Sequence, residues 1–144
     1  MLEEFLVFLV KCYKPILGPD GLNGDEFVQQ ATKDYASNIF FITAFANKGD
    51  VSDKTKHFLE AYKAKYKEEP SMFAALAYDA VYMAADAAKG AKSSTDIKDN
   101  LAKLKDFEGV TGKMTMNKDH TPEKSAFMVT MNKGETEKVE IVQP

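Results

Sequence analysis

The sequence predicts an α/β fold with an antiparallel tail, and three observations carry that expectation. A compact run of branched and aromatic residues, Ile39 to Ile42 (IFFI), has the composition of an interior strand covered on both faces. From Ser52 onward the apolar residues recur with a helical period through three successive segments. Beyond Phe107 the period falls to two, in short bursts separated by turn-forming residues. With 144 residues, 44% of them hydrophobic and 28% charged, the chain has the composition of an ordinary globular domain.

Met1 to Val10 is largely apolar without strict alternation, which leaves strand or helix open on periodicity alone; strand is preferred. Gly18-Pro19-Asp20-Gly21 predicts a turn, because proline presets φ and the glycines reach conformations that other residues avoid. Asn23, with Glu26 three residues on, makes a capping-box-like start for a short helix through Phe27, Val28 and Ala31. In the next helix Thr55, Phe58, Leu59, Tyr62 and Tyr66 share one face, and Lys54, Lys56, Glu60 and Lys63 take the other. Pro70 and Ser71 open a helix that is apolar almost all round until Gly90 stops it, so deep packing is expected. Ser94 or Thr95 begins a third, with Ile97, Leu101 and Leu104 inward. Met114 and Met116, then Phe127, Val129 and Met131, then Val139 and Ile141 predict two or three strands, the last pair a hairpin.

Several functions are excluded by what the chain lacks. It carries a net charge of -3 and no arginine, the side chain best suited to forked phosphate recognition, which argues against a nucleic-acid partner. One cysteine, Cys12, cannot make an internal disulfide, and His57 and His120 stand far apart, so no metal site is expected. Glu3 and Glu4 stand where a signal peptide carries basic residues, and no small-residue cleavage site follows Val10; no signal peptide is expected in this chain. Met72 to Ala88 falls short of the roughly 20 apolar residues of a membrane span and carries Asp79 and Asp86.

Gly18, Gly21 and Gly24 do not have the spacing of a phosphate loop, and Asp20, Asn23, Asp25 and Glu26 are out of register for a calcium loop. No Ser-His-Asp or Cys-His set can be assembled, so no catalytic residues and no enzyme activity are expected. Asp79 and Asp86 sit seven residues apart on one helical face. Paired buried carboxylates there could do acid-base work, but the preferred reading is the one solvated edge of an apolar helix.

Three stretches, Lys14 to Gly24 (KPILGPDGLNG), Glu69 to Ala88 (EPSMFAALAYDAVYMAADAA) and Lys105 to Gly112 (KDFEGVTG), resemble the type 1 periplasmic-binding-protein family in its branched-chain amino-acid receptors. Their order and intervals resemble the family's C-terminal part, and the resemblance takes in nearly everything after Lys14. It implies two α/β lobes closing by hinge motion on leucine, isoleucine or valine, delivered to the permease of an ABC importer. Residues 1-45 and 126-144 are expected to come from one lobe and 46-125 mostly from the other, making the chain a C-terminal fragment of the ligand-binding domain. By the same resemblance Asp20 holds the ligand's α-ammonium and Phe73 packs on its aliphatic side chain. The resemblance implies no cofactor and an extracytoplasmic location.

An amino-acid or amide-sensing receptor domain on the same fold is the alternative, distinguished by the proteins it works with rather than by its pocket. Apolar strands at Phe5 to Val10 and Ile39 to Ile42, together with the apolar helix from Met72, lead to the expectation that the chain self-associates.

Overall fold

The computed structural model describes residues 15–22, 25–31, 36–49 and 51–143, and the expected strand at Met1 to Val10, Cys12 and the cap at Asn23 lie outside them. The chain divides into two compact units, residues 1–49 with 126–142, and residues 50–125 with 143–144.

The first unit is built on a four-stranded mixed sheet. Strand β1 (Ile16–Gly18) pairs in parallel with β2 (Ile39–Thr43), and the helix α1 (Asp25–Ala31) lies between them in sequence. Strand β6 (Ala126–Asn132) runs antiparallel to β2, and β7 (Glu135–Val142) closes the sheet as the hairpin that the turn residues predicted, in the order β1-β2-β6-β7. The hairpin turns through Lys133 and Gly134, both at positive φ, and Gly134 donates its N–H to the Ala36 carbonyl. A bulge between Thr130 and Met131 shifts the register beside that turn.

Ala36, Ile39, Phe41, Val129 and Met131 form the buried centre of this unit, with Ile16, Leu22, Phe27, Val28 and Val139 packed against it. The expectation that both faces of β2 are covered does not hold among the described residues. Its burial alternates, with Ile39, Phe41 and Thr43 inside, while Ile42 is exposed and Leu17 on β1 more so. The reason is the layer count: α1 sets Phe27 and Val28 against the first face, and a strand's neighbouring side chains point to opposite faces.

The second unit packs three helices with a small antiparallel sheet. Helix α2 (Asp53–Tyr66) starts at Ser52, whose hydroxyl accepts from the Thr55 N–H, and ends at Lys67 in the left-handed conformation. Helix α3 (Met72–Ala88) starts at Ser71, whose side chain accepts from the Ala74 N–H, and stops before Gly90 at φ 74°. Helix α4 (Ser94–Ala102) has the full capping box: Ser93 accepts from the Asp96 N–H, and the Asp96 carboxylate accepts from the Ser93 N–H. Replacing Ser93 with alanine removes one half of that box. It should cost about 1 kcal/mol in urea unfolding, and a Ser93→Thr variant should recover most of the loss.

Five strands, not two or three, follow α4. The additional ones are β3 (Phe107–Gly109) and β5 (Pro122–Lys124), which flank β4 (Gly112–Met116) in an antiparallel sheet of order β3-β4-β5. At three residues each they are too short to display alternation. Deep packing of α3 is corrected as well: Met72, Ala75, Asp79 and Ala87 are buried, but Phe73 is 74% and Val81 66% exposed. Its cover is partial: α4 and the turn after β3 meet the face that carries Asp79, and Phe58 of α2 meets Tyr78, which leaves Phe73 and Val81 outside.

Candidate functional site

Asp20 stands in a short 3-10 turn, Asp20–Leu22, immediately beyond the C-terminal end of the parallel strand β1. The Leu22 N–H donates to the Pro19 carbonyl at 3.1 Å, closing the turn. The Leu22 side chain folds over Gly18, so that a Cβ at position 18 would oblige the Leu22 side chain to shift. Asp20 is left exposed with its carboxylate free to meet a cation. The C-terminal end of a parallel strand is where open α/β sheets receive ligands.

Phe73 belongs to the second unit, in the first turn of α3 beside the Ser71 cap. Its neighbour Met72 is buried and Phe73 itself points away, an aromatic surface available for contact. The two residues singled out from the sequence thus lie in different units, each at the start of a turn or helix.

Asp79 holds a polar constellation that the sequence reading misplaced. It is not a solvated edge: at 2% exposure its carboxylate accepts from the Val110 N–H at 2.7 Å, the Thr111 N–H at 2.9 Å and the Thr111 hydroxyl at 2.7 Å. The Lys124 ammonium donates to the same Thr111 hydroxyl oxygen at 2.6 Å. Burial pushes the Lys124 pKa below the ordinary lysine value, while the nearby Asp79 charge opposes that fall. Gly109 completes the fit, since a Cβ there would occupy the space of the Asp79 carboxylate. Asp86, one face-repeat further along, does sit in solvent, paired with Lys89. A lone carboxylate in an apolar stretch and a Gly-Val-Thr-Gly turn were the available signals, but they are 31 and 32 residues apart in the chain.

The remaining candidates are placed outside any chemical constellation. His57 is exposed on α2, and His120 is exposed in a turn at φ 61°. Among the described residues no group of three or more His, Cys, Asp or Glu is placed to hold a metal ion. Among the same residues no helix is long and apolar enough to cross a membrane.

Between α2 and α3 runs an aromatic groove of about 520 Å³. Phe58 contacts Tyr62 and Tyr78 with ring centroids 5.8 and 4.8 Å apart, and the chain of rings continues to Tyr66 and Tyr82. A hydrogen bond with Tyr82, and then burial, raise the Tyr78 hydroxyl pKa above the ordinary tyrosine value.

An open mixed sheet with helices, and a turn at the C-terminal end of its parallel strand, define an α/β fold of the kind that receives ligands at its strand ends. The family model described as "Periplasmic binding protein" matches residues 15–136. The chain belongs to the periplasmic binding protein family.

Among solved structures, the branched-chain amino acid transporter substrate-binding protein LivJ from Streptococcus pneumoniae, in complex with isoleucine, is 56% identical with a TM-score of 0.85. That match covers 99% of this chain and 42% of LivJ. The leucine-binding protein LivK from Thermotoga maritima is 24% identical with a TM-score of 0.82, covering 98% of this chain and 42% of LivK, and shows the fold. An ABC transporter substrate-binding protein from Desulfitobacterium hafniense, in complex with Leu, has the same fold at 20% identity and a TM-score of 0.66, covering 95% of this chain and 48% of that one. A search of curated proteins finds no match. The chain therefore spans less than half the length of the solved relatives it resembles.

Proposed function

We propose that this chain is the C-terminal part of the solute-binding component of an ABC importer for branched-chain amino acids. The observation that carries this reading is its 56% identity, over 99% of its length, to a binding protein solved with isoleucine. Residues 1-45 and 126-144 would form part of one lobe and 46-125 most of the other. The protein would bind rather than catalyse, work outside the cytoplasm and hand its ligand to a membrane permease.

In this reading Asp20 takes the α-ammonium of the amino acid through a charge-assisted hydrogen bond. Phe73 lies against the aliphatic side chain, and its exposure in the free chain is consistent with a surface that a ligand would cover. Burial of a leucine-sized group contributes about 1.5 to 3 kcal/mol, so Phe73→Ala should weaken isoleucine binding roughly 10- to 100-fold. The loss should be smaller for valine, which has less to bury. Equal losses for alanine and isoleucine as ligands would place Phe73 away from the side chain.

The deciding experiment is calorimetric titration with isoleucine, leucine and valine. The sample is this chain fused behind the part of LivJ that the match leaves uncovered, so that both sides of the cleft are present. Saturable binding of at least one of the three is expected. A folded fusion that binds none of them sinks the substrate assignment.

A further inference from the structure

We propose that Leu22 is a positioning residue for amino-acid binding: it moors the turn that carries Asp20 to the core of the first unit, and so fixes where the Asp20 carboxylate meets the ligand's α-ammonium. This rests on the binding reading above and deepens it, by naming what holds the ammonium's partner in place.

Burial across the turn Asp20–Leu22 falls on one residue. Asp20 and Gly21 are exposed, and a Cβ added at Gly21 would meet nothing within 4 Å. Leu22, two residues from the carboxylate, is half-buried and packs against the cluster of Ala36, Ile39, Phe41, Val129 and Met131. The turn lies beside β2, the strand that supplies Ile39 and Phe41 to that cluster. Two further contacts tie Leu22 to the chain just before it: its N–H donates to the Pro19 carbonyl at 3.1 Å, and its side chain folds over Gly18. One residue thus joins the end of β1, the turn and the core.

A charge-assisted hydrogen bond depends on distance and direction, so a carboxylate on a wandering turn is a poorer counter-charge. Ordering the turn at the moment of binding would also subtract from affinity. Binding groups are held to within about 0.5 Å by the packing of the residues that support them, and Leu22 is placed to give that support. Its own side chain is uncharged and cannot pair with an ammonium, so its effect on affinity passes through Asp20. Gly18 serves the same contact from the other side, because a methyl group there would oblige the Leu22 side chain to shift.

The test is isoleucine titration of the LivJ fusion, with hydrogen exchange read by mass spectrometry in the absence of ligand. Leu22→Ala should weaken isoleucine binding about tenfold, yet cost little more once Asp20→Ala is already present. Leu22→Met, which keeps the volume, should recover most of the loss. Gly18→Ala keeps Leu22 and reads the same contact should Leu22→Ala not fold; it should weaken binding too. Combined with Leu22→Ala, it should add little, since no side chain is left to displace. Val28→Ala trims another residue packed on the same cluster, and should lower the unfolding midpoint while leaving affinity near the parent's. In ligand-free Leu22→Ala, amides of residues 16–22 should exchange faster and those of residues 39–43 should keep their protection. The proposal is overturned if Leu22→Ala binds as tightly as the parent, or if it loses as much without Asp20 as with it. It is also overturned if Val28→Ala loses affinity equally, which would make the effect one of stability alone. A parent fusion that binds none of the three amino acids sinks the substrate assignment, whereas unchanged exchange in Leu22→Ala sinks the mooring, so the two failures are told apart.

Discussion

Asp79→Ala should destabilise the second unit by about 3 to 5 kcal/mol, the range for stripping one partner from a buried charged network. The carboxylate accepts three hydrogen bonds, two of them from the backbone N–H groups of Val110 and Thr111, residues that are 2% and 1% exposed. Alanine leaves both donors buried without an acceptor, at a cost of roughly 1 to 3 kcal/mol each. It also removes the anion that supports the Lys124 charge. Lys124 has a lowered pKa in the folded chain, so the unfolded state binds the proton more tightly between the folded and ordinary lysine values. Stability contributed by this group therefore rises with pH across that alkaline window. Loss of Asp79 should lower the Lys124 pKa further and widen the window downwards.

Urea unfolding followed by tyrosine fluorescence reads the effect, because the chain has no tryptophan and four of its six tyrosines, Tyr62, Tyr66, Tyr78 and Tyr82, lie in the second unit. Asp79→Asn keeps one acceptor oxygen but turns an amide N–H toward a backbone N–H, so it should recover little. A change below about 1 kcal/mol in Asp79→Ala would show that water satisfies the turn.

Asp20→Ala should reduce isoleucine affinity on the order of a hundredfold in the LivJ fusion, while leaving the unfolding midpoint nearly unchanged. The two readouts separate because Asp20 is exposed at the surface, outside the core, whereas an ammonium shielded from water depends on its counter-charge. Asp20→Glu keeps the charge and should retain part of the affinity. If Asp20→Ala binds as tightly as the parent, the ammonium is held elsewhere and the role assigned to the turn is wrong.

Much of the architecture was legible because it depends on neighbours in the chain. Ser71 and Gly90 bracket α3 through local hydroxyl-to-amide and left-handed geometry, Pro19 presets the turn at Asp20, and Asn132 to Gly134 close the β6–β7 hairpin. The three motifs at Lys14, Glu69 and Lys105 likewise sufficed to place the chain in its family, since their order and intervals survive in one dimension.

Tertiary structure alone decided the fate of individual faces. Asp79 and Asp86 share a helical face, yet one is buried and the other meets water, because only Asp79 lies where the turn from Val110 to Thr111 delivers its N–H groups. Strands β3 and β5 exist because β4 offers both its edges to three-residue segments that carry too little pattern to announce themselves. The apolar circumference of α3 says that the helix needs cover on every side, but which side is met within this chain depends on contacts with residues far away in sequence. Hydrophobic periodicity records what a surface would gain from burial; whether a partner reaches it is a property of the assembled layers.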